Sequence, residues 1–512
     1  MNADFFCNAD SPVVQTDKGL IRGYFARDVY KFKGIKYADA ARYRSPREVE
    51  PWDGMRDALA YGRVAPTIEG RGTAYEKLGI MVEYRWMPED EDCQYLNVWT
   101  KTIDCRAKKP VMVWLHGGGF FCGNTAEFES YEPENLCKDG DVVIVSINHR
   151  LNILGFLDLS EYGEEFSNSG NLGMEDIIAA LKWVKNNIAV FGGDPDNVTL
   201  FGHSGGGMKI TALMQIPEAA PLFHKGIIQS GVNSNDHFRI TPDKSRAVAR
   251  AVVDELGGID RLMTARFRDI SDAFLNVEPE LRKKGLGEWG PVENGWYVGD
   301  PMHGQITDKF KTTPLIVGSL IAETLMWEGV YYDGGASEEE KLGYIQERYG
   351  PHTDAMIDLF KKAYPGKNMI DLRYLDTEFR HNILNYLDKR SAVGSAPTYS
   401  YVLAFDFNLN GCTPAFHSAE HALVFRSMDR MDFVQVDGAK KISDEMSMSW
   451  VSFAKTGDPN NCALPEKWLP YKTGDEHTFV FDRVSECRGR YDTDMYRYMQ
   501  CNCPIHVLPF DK

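Results

Sequence analysis

The sequence predicts an α/β fold with a large, mostly parallel central sheet and helices on both faces. Two observations lead there. Strand-like apolar runs alternate with helix-like stretches along the 512 residues, the order that places helices between parallel strands. Hydrophobic residues make up 43% of the chain and aromatics 12%, enough for one large core.

The elements follow in order. "KPVMVWLHGGG" (109–119) reads as a buried strand ending in glycines, and "DVVIVSINHR" (141–150) as a second strand. "MEDIIAALKWVKNNIAVFGG" (174–193) has apolar residues at helical spacing, and Gly-Gly-Asp-Pro stops it. "NVTLFGHS" (197–204), "KGIIQSG" (225–231), "TPLIVGSL" (313–320) and "TYSYVLAFDF" (398–407) are the third to sixth strands. Between the last two lies a helical stretch. "SEEEKLGYIQERYG" (337–350) opens with a capping-box pattern from Ser337 to Glu340, and "YLDTEFRHNILNYLDKR" (374–390) continues it. These helices are expected to form a lobe beside the sheet. No Pro-rich or Gly/Ser-rich linker, repeat or low-complexity tract marks a boundary. The expectation is a single domain over residues 1–512.

The formal net charge of −17 argues against a nucleic-acid partner or an anionic membrane surface, since both reward clustered Lys and Arg. "MNADFFCNADSPVV" lacks the basic and apolar segments of a signal peptide, and no run approaches the roughly 18 apolar residues of a membrane helix. A cytoplasmic location is expected. Ten cysteines are scattered, not framed as in small secreted domains. Cys501 and Cys503 with His506 lack a clear fourth ligand, so no metal and no cofactor is expected.

Chemistry gathers at predicted strand ends, where sheets of this type place reactive groups. Gly202-His203-Ser204-Gly205-Gly206 has the Gly-x-Ser-x-Gly form of a nucleophile elbow, a strand-to-helix turn so sharp that small residues must flank the serine. The same five residues also fit a glycine-rich joint with an incidental serine. His116-Gly117-Gly118-Gly119-Phe120 follows the first strand. Its glycines let backbone N–H groups approach an oxygen, so Gly118, Gly119 and Gly205 form a candidate oxyanion hole. Glu323 follows the fifth strand and His417 the sixth, and the order Ser204, Glu323, His417 is that of an α/β-hydrolase triad. His421 competes with His417 as the base, and Glu328 and Glu420 compete with Glu323 as the acid.

These residues resemble the type-B carboxylesterase family, which includes the cholinesterases. The resemblance runs from "VVQTDKGLIRGY" and "FKGIKYADA" through "EDCQYLNVW", "VMVWLHGGGF" and "INHRLNILGFL". It continues with "GNLGMEDIIAALKWVKNNIAVFGGDPDNVTLFGHSGGG", "LFHKGIIQSG", "GPVENG", "VGSLIAET" and "FHSAEHALVF", and ends at "WVSFAKTGDPN". It implies the α/β-hydrolase fold and a serine esterase acting through an acyl-enzyme. Ser204 is then the nucleophile, Glu323 the acid, His417 the base, and Gly118, Gly119 and Gly205 the oxyanion donors. The implied partner is a small to medium, uncharged ester. An amidase or carbamate hydrolase on the same triad is the alternative, and a non-catalytic binding protein a third reading.

Four departures stand out. His203 replaces the family's usual Glu, which weakens the case for a quaternary-ammonium substrate and puts a group that could titrate near neutral pH beside the serine. Cys93 matches a family disulfide cysteine, but Thr67 stands about where its partner would be, so that disulfide is expected to be absent. "GIKYADAARYRSP" lacks the usual Pro-Pro-x-Gly, and Ile177 replaces a usual Gln. For the substrate pocket the candidates are Phe120, Phe121, His203, Trp289 and Trp86, each with core packing as its alternative role. The stretch 68–92 is expected to cover the pocket.

Overall fold

The computed structural model describes residues 5–68, 85–232, 239–325, 334–408 and 413–503. An eleven-stranded sheet organises the chain. In chain order its strands are β1 (Tyr24–Ala26), β2 (Val29–Lys36), β3 (Tyr95–Thr100), β4 (Lys109–Leu115), β5 (Val143–Ile147), β6 (Gly193–His203), β7 (Lys225–Gln229), β8 (Leu315–Leu320), β9 (Thr398–Leu403), β10 (His477–Phe481) and β11 (Glu486–Gly489). Their spatial order is β11-β10-β9-β8-β7-β6-β4-β5-β3-β2-β1. The strands from β5 through β4 and β6 to β10 pair in parallel. The outer strands at both edges pair antiparallel. The six expected strands are all present, and five more lie outside them. β2 and β3 mix charged or polar residues into the apolar run, and β10 and β11 lie beyond the last expected strand.

Register sets where the chemistry falls. Leu115 of β4 pairs with Ile147 of β5 and Gly202 of β6, His203 with Gln229, Gln229 with Gly318, and Leu320 with Leu403. The carboxyl ends of these strands therefore share one rim, and each loop that leaves them starts beside the next.

Helices cover the faces. α1 (Leu172–Asn187) ends in a short 3-10 turn stopped by Gly192 at φ 78°. α2 (Gly205–Met214) follows β6, and α3 (Pro242–Leu256) and α4 (Phe267–Arg282) precede β8. The stretch between β8 and β9 holds α5 (Glu338–Tyr349), α6 (Thr353–Ala363) and α7 (Arg380–Val393). The expected capping box is present, with Ser337 and Glu340 each accepting from the other's N–H. α8 (Ala439–Thr456) lies between β9 and β10.

Two buried ion pairs tie elements together. Arg150, after β5, pairs with Asp176 of α1 at 2.7 Å, and Arg380 of α7 with Asp492 at 2.8 Å. One hydrophobic cluster extends from Val14 to Cys503 and takes in the central strands and the helices on both faces. Cys93 is a free, buried thiol packed with Ala65 and Leu151. Cys105, Cys462 and Cys501 are free and exposed. His506 lies outside the described residues. Among the described residues, no helix is long and apolar enough to cross a membrane.

Candidate active site

The turn between β6 and α2 is as tight as its glycines imply. Ser204 has φ 53° and ψ −121°, a conformation that side chains rarely adopt and that surrounding structure must hold. A Cβ at Gly206 would sit 2.0 Å from the Leu115 carbonyl oxygen, and one at Gly202 would sit 2.7 Å from the Gly206 backbone. Neither position admits a larger residue. The Ser204 N–H donates to the Gln229 carbonyl at 2.7 Å, which locks the elbow to β7.

The glycine loop after β4 meets this elbow. Gly118 and Gly119 have φ of 80° and 60°, which glycine adopts without strain. The Gly118 carbonyl accepts from the N–H groups of Phe121 and Cys122, both at 3.1 Å. A Cβ at Gly205 would lie 2.4 Å from the Gly119 nitrogen and 2.3 Å from its carbonyl oxygen. The backbones of Gly119 and Gly205 are therefore in direct contact.

The acid and the histidine also meet. Glu323 is buried past the end of β8, and His417 is buried in the loop after β9. His417 Nδ1 lies 2.6 Å from Glu323 Oε2. Glu323 Oε1 accepts from the Leu320 N–H at 2.7 Å and from Ser230 Oγ at 2.5 Å. The two loops are joined by the Ala322 N–H, which donates to the Ala415 carbonyl at 2.9 Å. Burial disfavours charge on the Glu323 carboxyl, while the hydrogen bonds from Ser230 and Leu320 favour its carboxylate form. Burial pushes the His417 imidazole down to about 3.

Phe379 stacks on the imidazole of His417, with ring centroids 5.0 Å apart. It sits in a turn held by Asp376, whose carboxylate accepts from the N–H groups of Glu378, Phe379 and Arg380 at 2.8, 2.9 and 2.5 Å.

The competing residues have other surroundings. His421 packs among aromatic rings, 4.9 Å from Tyr131 and 6.0 Å from Trp114. Glu420 faces His203 at 3.9 Å and accepts from Gln229 Nε2 at 3.3 Å. Glu328 lies outside the described residues. His203 is fully buried between His417 and His421, 4.3 Å from each ring. Burial, with His417 and His421 adding to it, holds its pKa well below the ordinary histidine value. The expectation that His203 titrates near neutral pH is thereby corrected: the ring is a buried, neutral neighbour of His417.

Phe120 packs edge-on against Phe156 at 5.1 Å, and a Cβ at Gly290 would touch its ring at 3.5 Å. Phe121 is half-buried and leans over Gly119. Trp289 is buried against Phe274 at 5.0 Å. Trp86 is 88% exposed and lines no enclosed space, a second correction. Residues 69–84 of the stretch expected to cover the pocket lie outside the described residues.

The sequence reading passed over Ser230 and Asn152, which stand inside quoted motifs, and Lys209, two residues beyond one. A buried polar residue within an apolar run was the available signal. Phe379 and Asp376 carried none, because only the fold brings them to His417.

The chain is similar to known hydrolases along nearly its full length. A family model described as the carboxylesterase family matches residues 10–499. Para-nitrobenzyl esterase of Bacillus subtilis (strain 168) is 32% identical, covering 92% of this chain and 94% of its own length. Phenmedipham hydrolase of Pseudarthrobacter oxydans is 30% identical, covering 92% of this chain and 94% of its own. Among solved structures, an esterase from anaerobic Clostridium hathewayi that can hydrolyze aliphatic aromatic polyesters superposes with a TM-score of 0.92 at 38% identity. That match covers 98% of this chain and 100% of the other.

Proposed function

Since the chain belongs to the carboxylesterase family, and is thereby a hydrolase of carboxylic esters, we propose that Ser204, His417 and Glu323 are its catalytic triad. The observation that carries this reading is the 2.6 Å contact of His417 with Glu323, on the same sheet rim as a serine held at φ 53°. In this reading the imidazole donates Nδ1–H to Glu323 and uses Nε2 as the base. Ser204 Oγ attacks the ester carbonyl carbon while His417 takes its proton. The carbonyl π electrons move to oxygen, which accepts from the N–H groups of Gly118, Gly119 and Gly205. One such donor typically supplies about 3–4 kcal/mol of transition-state stabilisation. His417 then protonates the leaving alcohol and later activates the water that cleaves the acyl-enzyme.

Catalysis resides in one domain, and the substrates are small to medium, uncharged esters. Phe120, Phe121 and Trp289 provide apolar surface near the glycine loop for the acyl or alcohol group. Absence of a carboxylate at His203 disfavours cationic esters. The similar proteins bring an aliphatic-aromatic diester and phenmedipham into the test panel.

The test is turnover of p-nitrophenyl esters from acetate to decanoate. Ser204→Ala and His417→Ala are each expected to lower kcat by about 10⁴–10⁶-fold while circular dichroism stays native. Activity retained in His417→Ala and lost in His421→Ala would move the base. Matched amides and carbamates, run beside the esters, separate ester hydrolysis from the amidase alternative.

A further inference from the structure

We propose that Lys209 is a positioning residue for the reaction: it braces the glycine loop against the nucleophile helix and so fixes the oxyanion hole. The inference rests on the triad reading above. Lys209 is completely buried on α2, four residues after Gly205. Positions four apart share a helix face, and side chains lean toward the helix N-terminus, so the amine returns toward the elbow. Its Nζ donates to the carbonyl of Gly119 at 2.8 Å and to that of His116 at 3.1 Å. These two carbonyls bracket the loop.

The interior of the loop is fixed by other bonds that leave its ends to Lys209. Gly117 O lies 2.9 Å from His116 Nδ1, and Gly118 O accepts from the N–H groups of Phe121 and Cys122. In a trans peptide the N–H points opposite the preceding carbonyl. Holding Gly117 O and Gly118 O therefore aims the N–H groups of Gly118 and Gly119 away from those contacts. Glycines have no side chains with which to keep that arrangement. Lys209 pins it at both ends, and because the amine rides on the helix that begins at Gly205, it ties the third donor to the other two.

An ammonium buried without a counter-charge is normally selected against. Among the described residues, no carboxylate pairs with Lys209. Its partners are the two carbonyls and the face of Phe120, 5.7 Å away. Burial lowers its pKa to about 7, with Cys122 and the buried Glu127 opposing the shift. A neutral amine still has two N–H donors for two carbonyls, so the brace survives either protonation state.

The experiment compares wild type with Lys209→Met, an apolar chain of similar length, using p-nitrophenyl esters and an aryl trifluoromethyl ketone. Such a ketone adds Ser204 Oγ at its carbonyl carbon. The serine proton goes to His417, and the former carbonyl oxygen becomes an oxyanion in the glycine pocket. Lys209→Met is expected to lower kcat about 10- to 100-fold, less than the 10²–10³ typical for deleting a donor itself. KM should stay within about threefold, and ketone affinity should fall by the same factor as kcat/KM. A kcat within twofold of wild type, or lost turnover with unchanged ketone affinity, would overturn the assignment. If Lys209→Met does not fold, Lys209→Gln carries the same test, with a ketone affinity at least fivefold weaker expected and an unchanged one decisive against it. Ser204→Ala separates this inference from the one beneath it. Turnover and ketone binding that survive in Ser204→Ala would sink the triad reading. Ser204-dependent turnover untouched by Lys209→Met would sink only the brace.

Discussion

At Gly205 the nucleophile helix and the glycine loop touch backbone to backbone, and no room is left for a methyl group. A glycine keeps the backbone N–H there while removing the Cβ. In this chain the loop has closed over the missing Cβ. Gly205→Ala is therefore expected to push Gly119 outward and lower kcat at least tenfold, measured on p-nitrophenyl acetate; unchanged kcat would mean that the loop yields freely. A second residue-scale prediction concerns His417. The proposed base acts when neutral, and burial depresses its pKa to about 3. A depressed pKa keeps the imidazole neutral as pH falls below the ordinary histidine value of about 6.5. The acid limb of kcat/KM is expected below pH 6. A limb at or above 6.5 would mean that the contact with Glu323 outweighs burial. At this scale the residues proposed for the triad and the oxyanion hole were legible as candidates, since Ser204, Glu323, His417, Gly118, Gly119 and Gly205 all stand in motifs at strand ends. The burial of His203 was not legible, because neighbours in sequence do not reveal how completely a ring is covered.

Among the elements, the loops leaving the strand ends depend on one another. The Asn152 N–H donates to the Phe120 carbonyl at 2.7 Å, and its side-chain amide donates to the carbonyls of Pro66 and Phe121 at 2.8 and 3.0 Å. Its φ of 46° lies where asparagine is tolerated better than most residues. The loop after β5 thus holds the aromatic end of the loop after β4. Asn152→Ala removes both side-chain hydrogen bonds and is expected to cost about 1–3 kcal/mol in urea unfolding. KM for longer acyl chains should rise as Phe120 and Phe121 loosen. A variant as stable as wild type, with an unaltered chain-length profile, would show that the two loops are independent. Helix and central-strand identities could be read from apolar spacing. The edge strands could not, because β1 has only half-buried residues and β11 is charged and partly exposed.

Across the whole molecule, the sheet does what no local pattern could announce. It brings Ser230, 93 residues before Glu323 in the chain, within 2.5 Å of the carboxylate. It also sets Phe379 against His417. The mostly parallel sheet was legible from the alternation of elements and from the family resemblance. The contacts that hold Glu323 and His417 were not, because they join loops whose spacing in sequence carries no period. The free cysteines have a practical consequence at this scale. Cys93 and Cys137 are sealed in the interior, where burial raises their pKa and suppresses the thiolate. Cys105, Cys462 and Cys501 stand on the outside. Among the described thiols, a maleimide dye or an activated resin would find those three first, so the enzyme could be tethered to a bead or given a fluorescent tag through native thiols while Cys93 and Cys137 stay unmodified.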